Sequence, residues 1–156
     1  MVLDSLLIPF RSQPQPPALP AGYSLSSEHW PAAQELDALL VACGDPARSL
    51  ERIEAALQRS VWQLSVRNPT GALVGFVRVT SDLALNANLW DLTAHPADPQ
   101  QEQLMIVLVH TTLNRLRREL SGCSISVPAT PMAQEALKRH GFVVDPGGIR
   151  AMGLKL

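Results

Sequence analysis

The chain has 156 residues, of which 46% are hydrophobic and 17% charged, with a formal net charge of -1 at neutral pH. That length suits one compact domain with its own core, and no run approaches the ~18 apolar residues that a membrane-spanning helix needs. So balanced a charge gives no footing for a nucleic-acid or phospholipid partner. Cys43 and Cys123, without CxxC spacing or a ligand-type histidine beside them, fit a reduced, cytoplasmic compartment and no metal site.

Residues 1–21 read as a proline-rich arm. Pro9, Pro14, Pro16, Pro17 and Pro20 remove backbone donors and favour an extended path, over this domain or over a neighbouring subunit in a homodimer. Leu3, Leu6, Leu7, Ile8 and Phe10 are apolar, but Asp4 interrupts them and no basic segment precedes them, so no secretory signal is expected. A single domain is expected over 22–156.

The domain opens with a short edge strand at Gly22–Ser26, where Tyr23 and Leu25 alternate with small polar residues. Leu36, Leu39, Leu40 and Cys43 then recur at helical spacing from about Pro31. Gly44 ends that helix, and Asp45-Pro46 starts a second one that buries Leu50, Ile53 and Leu57. At Trp62 the period becomes two: Trp62, Leu64 and Val66 alternate with Gln63, Ser65 and Arg67. Asn68-Pro69-Thr70-Gly71 makes a turn, and Ala72–Ser81 returns with Val74 and Phe76 on one face and Leu73, Val77 and Val79 on the other. Leu85-Asn86-Ala87-Asn88 reads as the next turn.

Leu89–Ala94 follows as a strand, with Trp90 expected to fill the core on the opposite face. The chain then passes through His95-Pro96-Ala97-Asp98-Pro99 into a helix of about five turns. Leu104, Met105, Leu108, Val109, Leu113, Leu116 and Leu120 mark its buried side, His110 reads as a hydrogen-bonded core histidine, and Arg115, Arg117 and Arg118 form a solvated face. Asp98 stands as its N-cap, Pro99 as its first residue and Gln101 at the capping-box position. A strand at Cys123–Val127, a helix at Pro131–His140 and a hairpin of Gly141–Val144 with Ala151–Leu156 complete the chain. A strand that runs through a loop into a helix start is where unpaired amides and the helix dipole favour an anionic ligand.

That order of elements, with Leu73-Val74-Gly75-Phe76, Leu92-Thr93-Ala94-His95-Pro96 and Ala136-Leu137-Lys138-Arg139-His140-Gly141-Phe142, resembles the GCN5-related N-acetyltransferase (GNAT) superfamily over nearly everything after Tyr23. The resemblance implies an α+β fold (α/β in some schemes), with a mixed, mostly antiparallel sheet of about six to seven strands flanked by four helices. It implies transfer of an acetyl group from acetyl-CoA, as co-substrate, to the amine of a small molecule or peptide. The fourth-strand backbone at Leu92, Thr93 and Ala94 would hold the pantetheine, and Asp91 would be the base that frees the amine lone pair. Asp91 also reads as a strand carboxylate paired with an arginine or a backbone group. Gln101, Gln103 and Leu104 fall in the pyrophosphate-loop register, and Thr130 stands where family members often place a cofactor-contacting asparagine.

The departures lie in the same loop. The family pattern is Arg or Gln, two residues, Gly, one residue, then Gly or Ala. Neither Pro99-Gln100-Gln101-Glu102-Gln103-Leu104 nor the register starting at Gln101 contains a glycine. Pro96 and Pro99 remove donors, and Asp98 with Glu102 puts negative charge where a pyrophosphate would sit. Leu137 occupies the place of the family's proton-donating tyrosine. Two alternatives therefore stand beside the acetyltransferase: a non-catalytic GNAT-fold binding or regulatory protein that has lost acetyl-CoA binding, and an enzyme using an acyl donor without a pyrophosphate.

Overall fold

Among the described residues five strands form one sheet in the order β1 (Ser24–Ser26), β2 (Trp62–Arg67), β3 (Leu73–Ser81), β4 (Asn86–Ala94) and β5 (Ser124–Ser126). The computed structural model describes residues 15–156, so Pro9, Pro14 and the apolar residues Leu3 to Phe10 of the expected arm lie outside the described residues. Neighbouring strands are antiparallel from β1 to β4, and β5 joins β4 in parallel. The parallel step requires a crossover, which α3 (Gln101–Glu119) supplies. The helical pair α1 (Ala33–Ala42) and α2 (Leu50–Gln58) connects β1 to β2, and α4 (Pro131–Lys138) follows β5.

Each face of the sheet has its own apolar layer. Trp62, Leu64, Val66, Val77, Val79, Leu89, Leu92 and Ala94 pack with Leu104, Leu108 and Val109 of α3 and with Ala133 and Leu137 of α4. Leu36, Leu39 and Leu40 of α1 pack with Ile53 and Leu57 of α2 over Leu73 and Phe76. Val74 lies in the α3 layer and Phe76 in the other, so the expected sharing of a face by these two is corrected. The reason is a slip of the β2–β3 register at Val66/Arg67, where one step of β2 faces two of β3. Gly75 lies against α3 at that point. A β-carbon there would stand 3.0 Å from Leu108 Cδ1 and 3.2 Å from Val66 Cβ.

Several boundaries move for identifiable reasons. Among the described residues the sheet has five strands, not six or seven, because Gly141–Val144 and Ala151–Leu156 form no hairpin. Pro146–Gly148 is a 3₁₀ turn entered through Asp145 in the left-handed region, and Val143, Ile149, Met152 and Leu154 are exposed. A hairpin with no covered apolar face has little to hold it. The second helix begins at Leu50 rather than Pro46, because Arg48 donates its backbone N–H to Asp37 and its guanidinium to Asp45, both at 2.9 Å. Leu50, expected in the core, is exposed.

The turn before β4 spans Asp82 to Leu85, so Asn86 and Asn88 belong to the strand. The Asp82 carboxylate accepts the N–H groups of Ala84, Leu85 and Asn86 at 2.8–2.9 Å, which is why the turn closes there. Those three bonds, the Asn86 N–H foremost, hold the carboxyl down from its ordinary 3.8 to about 2. A depressed folded value contributes stability above the unfolded value and loses it as pH falls through the folded one. Amide-exchange protection at Ala84, Leu85 and Asn86 is therefore expected to decline between about pH 4 and pH 2, ahead of the central strands. Unchanged protection at pH 2 would contradict this account of the turn.

Candidate active site

The site is made by a parting of strands. β4 and β5 pair only at Asn86–Ser124, Ala87–Ile125 and Asn88–Ser126, and the last pair is also tied by a hydrogen bond from the Ser126 hydroxyl to Asn88 Oδ1. Beyond it β4 runs on while β5 ends, and a cleft of about 570 Å³ opens, reaching from Trp90–Ala94 to Thr130–Met132. The β3–β4 register slips in the same stretch: Phe76 to Arg78 is two steps of β3, and the facing Thr93 to Trp90 is three of β4. Asp91 takes a φ of 57°, a left-handed conformation that Asp tolerates better than most residues, and so accommodates the extra step.

This bulge corrects the expectation for Trp90. Instead of filling the core, Trp90 is 38% exposed and lines the cleft, its indole N–H donating to Thr80 Oγ1 at 2.8 Å. Asp91 lies nearby, with Oδ2 accepting from Arg78 Nε at 2.6 Å and Oδ1 3.6 Å from Arg48. Both members of the Asp91–Arg78 pair are largely buried, at 12% and 15% side-chain exposure. The arginine-paired reading of Asp91 is thus realised, and only Oδ1 is left facing a longer, weaker contact.

Leu92, Thr93, Ala94, Gln101 and Thr130 all line the cleft. Thr130 is the N-cap residue of α4 but makes no side-chain cap bond, which leaves its hydroxyl uncommitted. Gln101 turns its amide back on the strand and donates to the Ala94 carbonyl at 3.1 Å. Gln103 and Leu104 do not belong to the cleft. Gln103 Nε2 donates to the Ala18 carbonyl of the arm at 2.8 Å, and Leu104 is fully buried in the α3 layer, because successive helical residues point about 100° apart.

The start of α3 differs from its expected form. The helix begins at Gln101, with Gln100 as N-cap, and Asp98 instead organises the preceding turn. Its Oδ1 accepts the Gln100 N–H at 2.8 Å and the Tyr23 hydroxyl at 2.9 Å, while its carbonyl accepts the Gln101 N–H. Two leading amides, those of Glu102 and Gln103, carry no hydrogen bond among the described residues. The helix start is therefore half satisfied by its own chain, with two donors remaining.

Cys43, Asp45, Arg48 and Trp90 are cleft residues that the sequence reading did not assign to the site, and Arg78 stands behind them. For Arg78 a signal existed: one cation within the apolar run Leu73–Val79 calls for a carboxylate on a neighbouring strand. The Cys43 thiol accepts from Thr93 Oγ1 at 2.9 Å and lies 3.7 Å from the Ala94 carbonyl. Burial pushes its pKa up against the opposing effect of the Thr93 bond, so it remains a thiol and is no activated nucleophile. Leu137, in the place of the family's proton-donating tyrosine, is a buried residue of α4 and does not line the cleft. Nor do Tyr23, the chain's one tyrosine, which is engaged by Asp98, and His140, which lies beside His110 with ring centroids 5.8 Å apart. His110 is half-buried and bonded to Asn114. Among the described residues no group of three or more metal-ligating side chains occurs, and no helix is long and apolar enough to cross a membrane.

No family model matches the chain. It is 35% identical over 122 residues to the uncharacterised N-acetyltransferase ycf52 of Pyropia yezoensis, an alignment covering 76% of this chain and 68% of that one. In fold it is similar to a protein of Staphylococcus aureus described as a probable acetyltransferase, with a TM-score of 0.76 at 16% identity over 86% of this chain and 99% of that one. It is also similar to the GNAT-family N-acetyltransferase YhbS of Escherichia coli solved in complex with CoA. There the TM-score is 0.60 at 17% identity, over 80% of this chain and 71% of that one.

Proposed function

The chain belongs to the GCN5-related N-acetyltransferase family, and from that premise we propose that it is an enzyme transferring an acetyl group from acetyl-CoA to an amine in the β4–β5 cleft. The observation that carries the reading is the parting of the two strands beyond Asn88–Ser126, which leaves the Leu92–Thr93 backbone without a β5 partner at the edge of the cleft. An extended pantetheine chain has amide groups to pair with such an edge, as an added strand would. The free amides of Glu102 and Gln103 and the uncommitted Thr130 hydroxyl supply donors for a phosphate at the far end. The CoA complex of the E. coli relative in fold supports the choice of donor.

Acetyl-CoA supplies a thioester, whose carbonyl carbon an amine can attack only with a free lone pair. Asp91 Oδ1, the carboxylate oxygen not held by Arg78, takes the amine proton directly or through a water. The C–N bond forms as the C–S bond breaks, the acylated nitrogen gives up its second proton to solvent, and the departing thiolate is protonated from solvent or by the proton that Asp91 has taken. Cys43, kept protonated, forms no acyl intermediate, so transfer is direct.

Two features favour the reading of a non-catalytic binding protein: Gln101 occupies the Ala94 carbonyl, and Asp98 sets a negative charge beside a glycine-free helix start. A thermal-shift titration separates the two. Acetyl-CoA at about 100 times its dissociation constant is expected to add ~2.7 kcal/mol, several degrees in Tm, with free CoA acting similarly. Asp91→Asn is then expected to lower kcat about a hundredfold while retaining that shift. No shift at millimolar acetyl-CoA removes the transferase reading, and full kcat in Asp91→Asn removes Asp91 as base.

A further inference from the structure

Beyond Asp91 the cleft leads into a smaller recess of about 70 Å³ between the helical pair and the sheet, the two sharing Leu40, Arg48 and Asp91 in their walls. Leu36, Ile53 and Leu57 give the recess an apolar side, and Arg48, Arg52 and Arg78 give it a cationic one. The charges do not balance. Arg78 is matched by Asp91 at 2.6 Å and Arg48 by Asp45 at 2.9 Å, while Arg52 has no carboxylate partner among the described residues. Asp91 is the one carboxylate lining the recess, set against the three guanidinium groups of Arg48, Arg52 and Arg78, while Asp45 and Asp37 meet Arg48 from outside it, so the lining itself carries a positive excess.

We propose that this recess binds a carboxylate belonging to the acceptor, so that the amine acetylated here is carried by a small zwitterionic molecule of the amino-acid type. The inference rests on the acetyl-transfer reading and gives its acceptor a chemical class. A guanidinium presents paired N–H donors that match the two oxygens of a carboxylate, and such charge-assisted bonds are the stronger kind where water is partly excluded. The volume of the recess suits a group of carboxylate size. The arrangement complements both ends of a zwitterion: Arg52, with the outer donors of Arg48, faces the anion, and Asp91 Oδ1 faces the ammonium group that must lose its proton. A simple monoamine would leave Arg52 unpaired, and a bulky peptide carboxamide would bring a neutral group to a cationic recess.

Calorimetric titration of the full chain with glycine, leucine, lysine and glutamate, each beside its α-carboxamide, tests this directly and needs no acetyl donor. At least one acid is expected to bind about tenfold or more tightly than its amide. Arg52→Gln, at an exposed position of α2 where folding is unaffected, is expected to bring that pair to within about twofold. Equal binding of acid and amide in every pair, an acid preference that survives in Arg52→Gln, or binding of no compound overturns the proposal. The acetyl-CoA thermal shift, run on both proteins, reads the transferase function separately. A shift with no acid preference overturns the recess alone, whereas an acid preference with no shift removes acetyl transfer and leaves a carboxylate-binding protein.

Discussion

Arg78→Met is expected to lower the unfolding free energy by about 3 kcal/mol, roughly 10 °C in Tm for a chain of this length, because it strands the Asp91 carboxylate in a largely buried position. The attraction of the pair, at 2.6 Å, offsets the cost of taking two charges out of water, and removing Arg78 leaves the Asp91 share of that cost offset only by the longer contact to Arg48 at 3.6 Å. Arg78 also lies 6.0 Å from the Trp90 ring and 3.4 Å from Ser60 Oγ, so some packing is lost with the charge. Asp91→Leu in the Arg78→Met background is expected to recover most of the lost stability, since a well-packed apolar pair can replace a buried ion pair without loss. On the proposed function the double variant should also be inactive, because the proposed proton acceptor, Asp91, is gone. Urea melts of the two single variants and the double variant decide the matter. If Arg78→Met costs less than about 1 kcal/mol, the pair is hydrated and acts as a surface contact.

Leu108→Ala is expected to cost about 3–4 kcal/mol, since Leu108 is completely buried where α3 crosses the sheet and its neighbours Val66, Val109 and Leu113 belong to the same layer. The close approach of Gly75 makes the result sharper. A β-carbon at position 75 meets Leu108 Cδ1 at 3.0 Å, so Gly75→Ala alone is expected to destabilise by about 1–3 kcal/mol through overpacking. In Leu108→Ala the new methyl has room, and the two costs should combine to clearly less than their sum. Strict additivity would mean that Val66 Cβ, at 3.2 Å, and not Leu108, is what Gly75 avoids. The pair bears on function as well: Gly75 faces Ala94 across the β3–β4 ladder, so displacement of α3 here shifts the strand that edges the cleft. Cleft binding of acetyl-CoA should therefore weaken in Gly75→Ala more than in Asp82→Ala, whose turn lies at the opposite end of β4.

Much of this molecule was legible in the residues themselves, because periodicity is a local property. The alternation from Trp62 to Val66 and the three-and-four spacing from Leu104 to Leu116 each report which side of an element meets apolar neighbours, and those elements stand where that pattern puts them. The same holds for the crossover between β4 and β5 and for the residues at the end of β4 that edge the cleft. The sequence also carried both readings of Asp91, and the arginine that pairs with it was a visible anomaly in an apolar strand.

The rest depended on contacts between residues distant in the chain. Two register slips, at Val66/Arg67 and between Phe76 and Arg78, reassigned Val74 to the α3 layer and Trp90 to the cleft, since one extra residue turns everything beyond it to the other face. The final hairpin failed to form because strand-forming residues at Val143, Val144, Met152 and Leu154 have no covered face to pack against, whatever their propensity. Gln103 was drawn away from the cleft by Ala18, 85 residues earlier, and Asp98 from its capping role by Tyr23, 75 residues earlier. The recess of Arg48, Arg52 and Arg78 joins side chains from the loop before α2, from α2 and from β3, and no local pattern marks it. Local periodicity thus determined the elements and the strand that edges the cleft. Which charges meet across it was decided only when those elements packed, because a charge finds its partner through space and not along the chain.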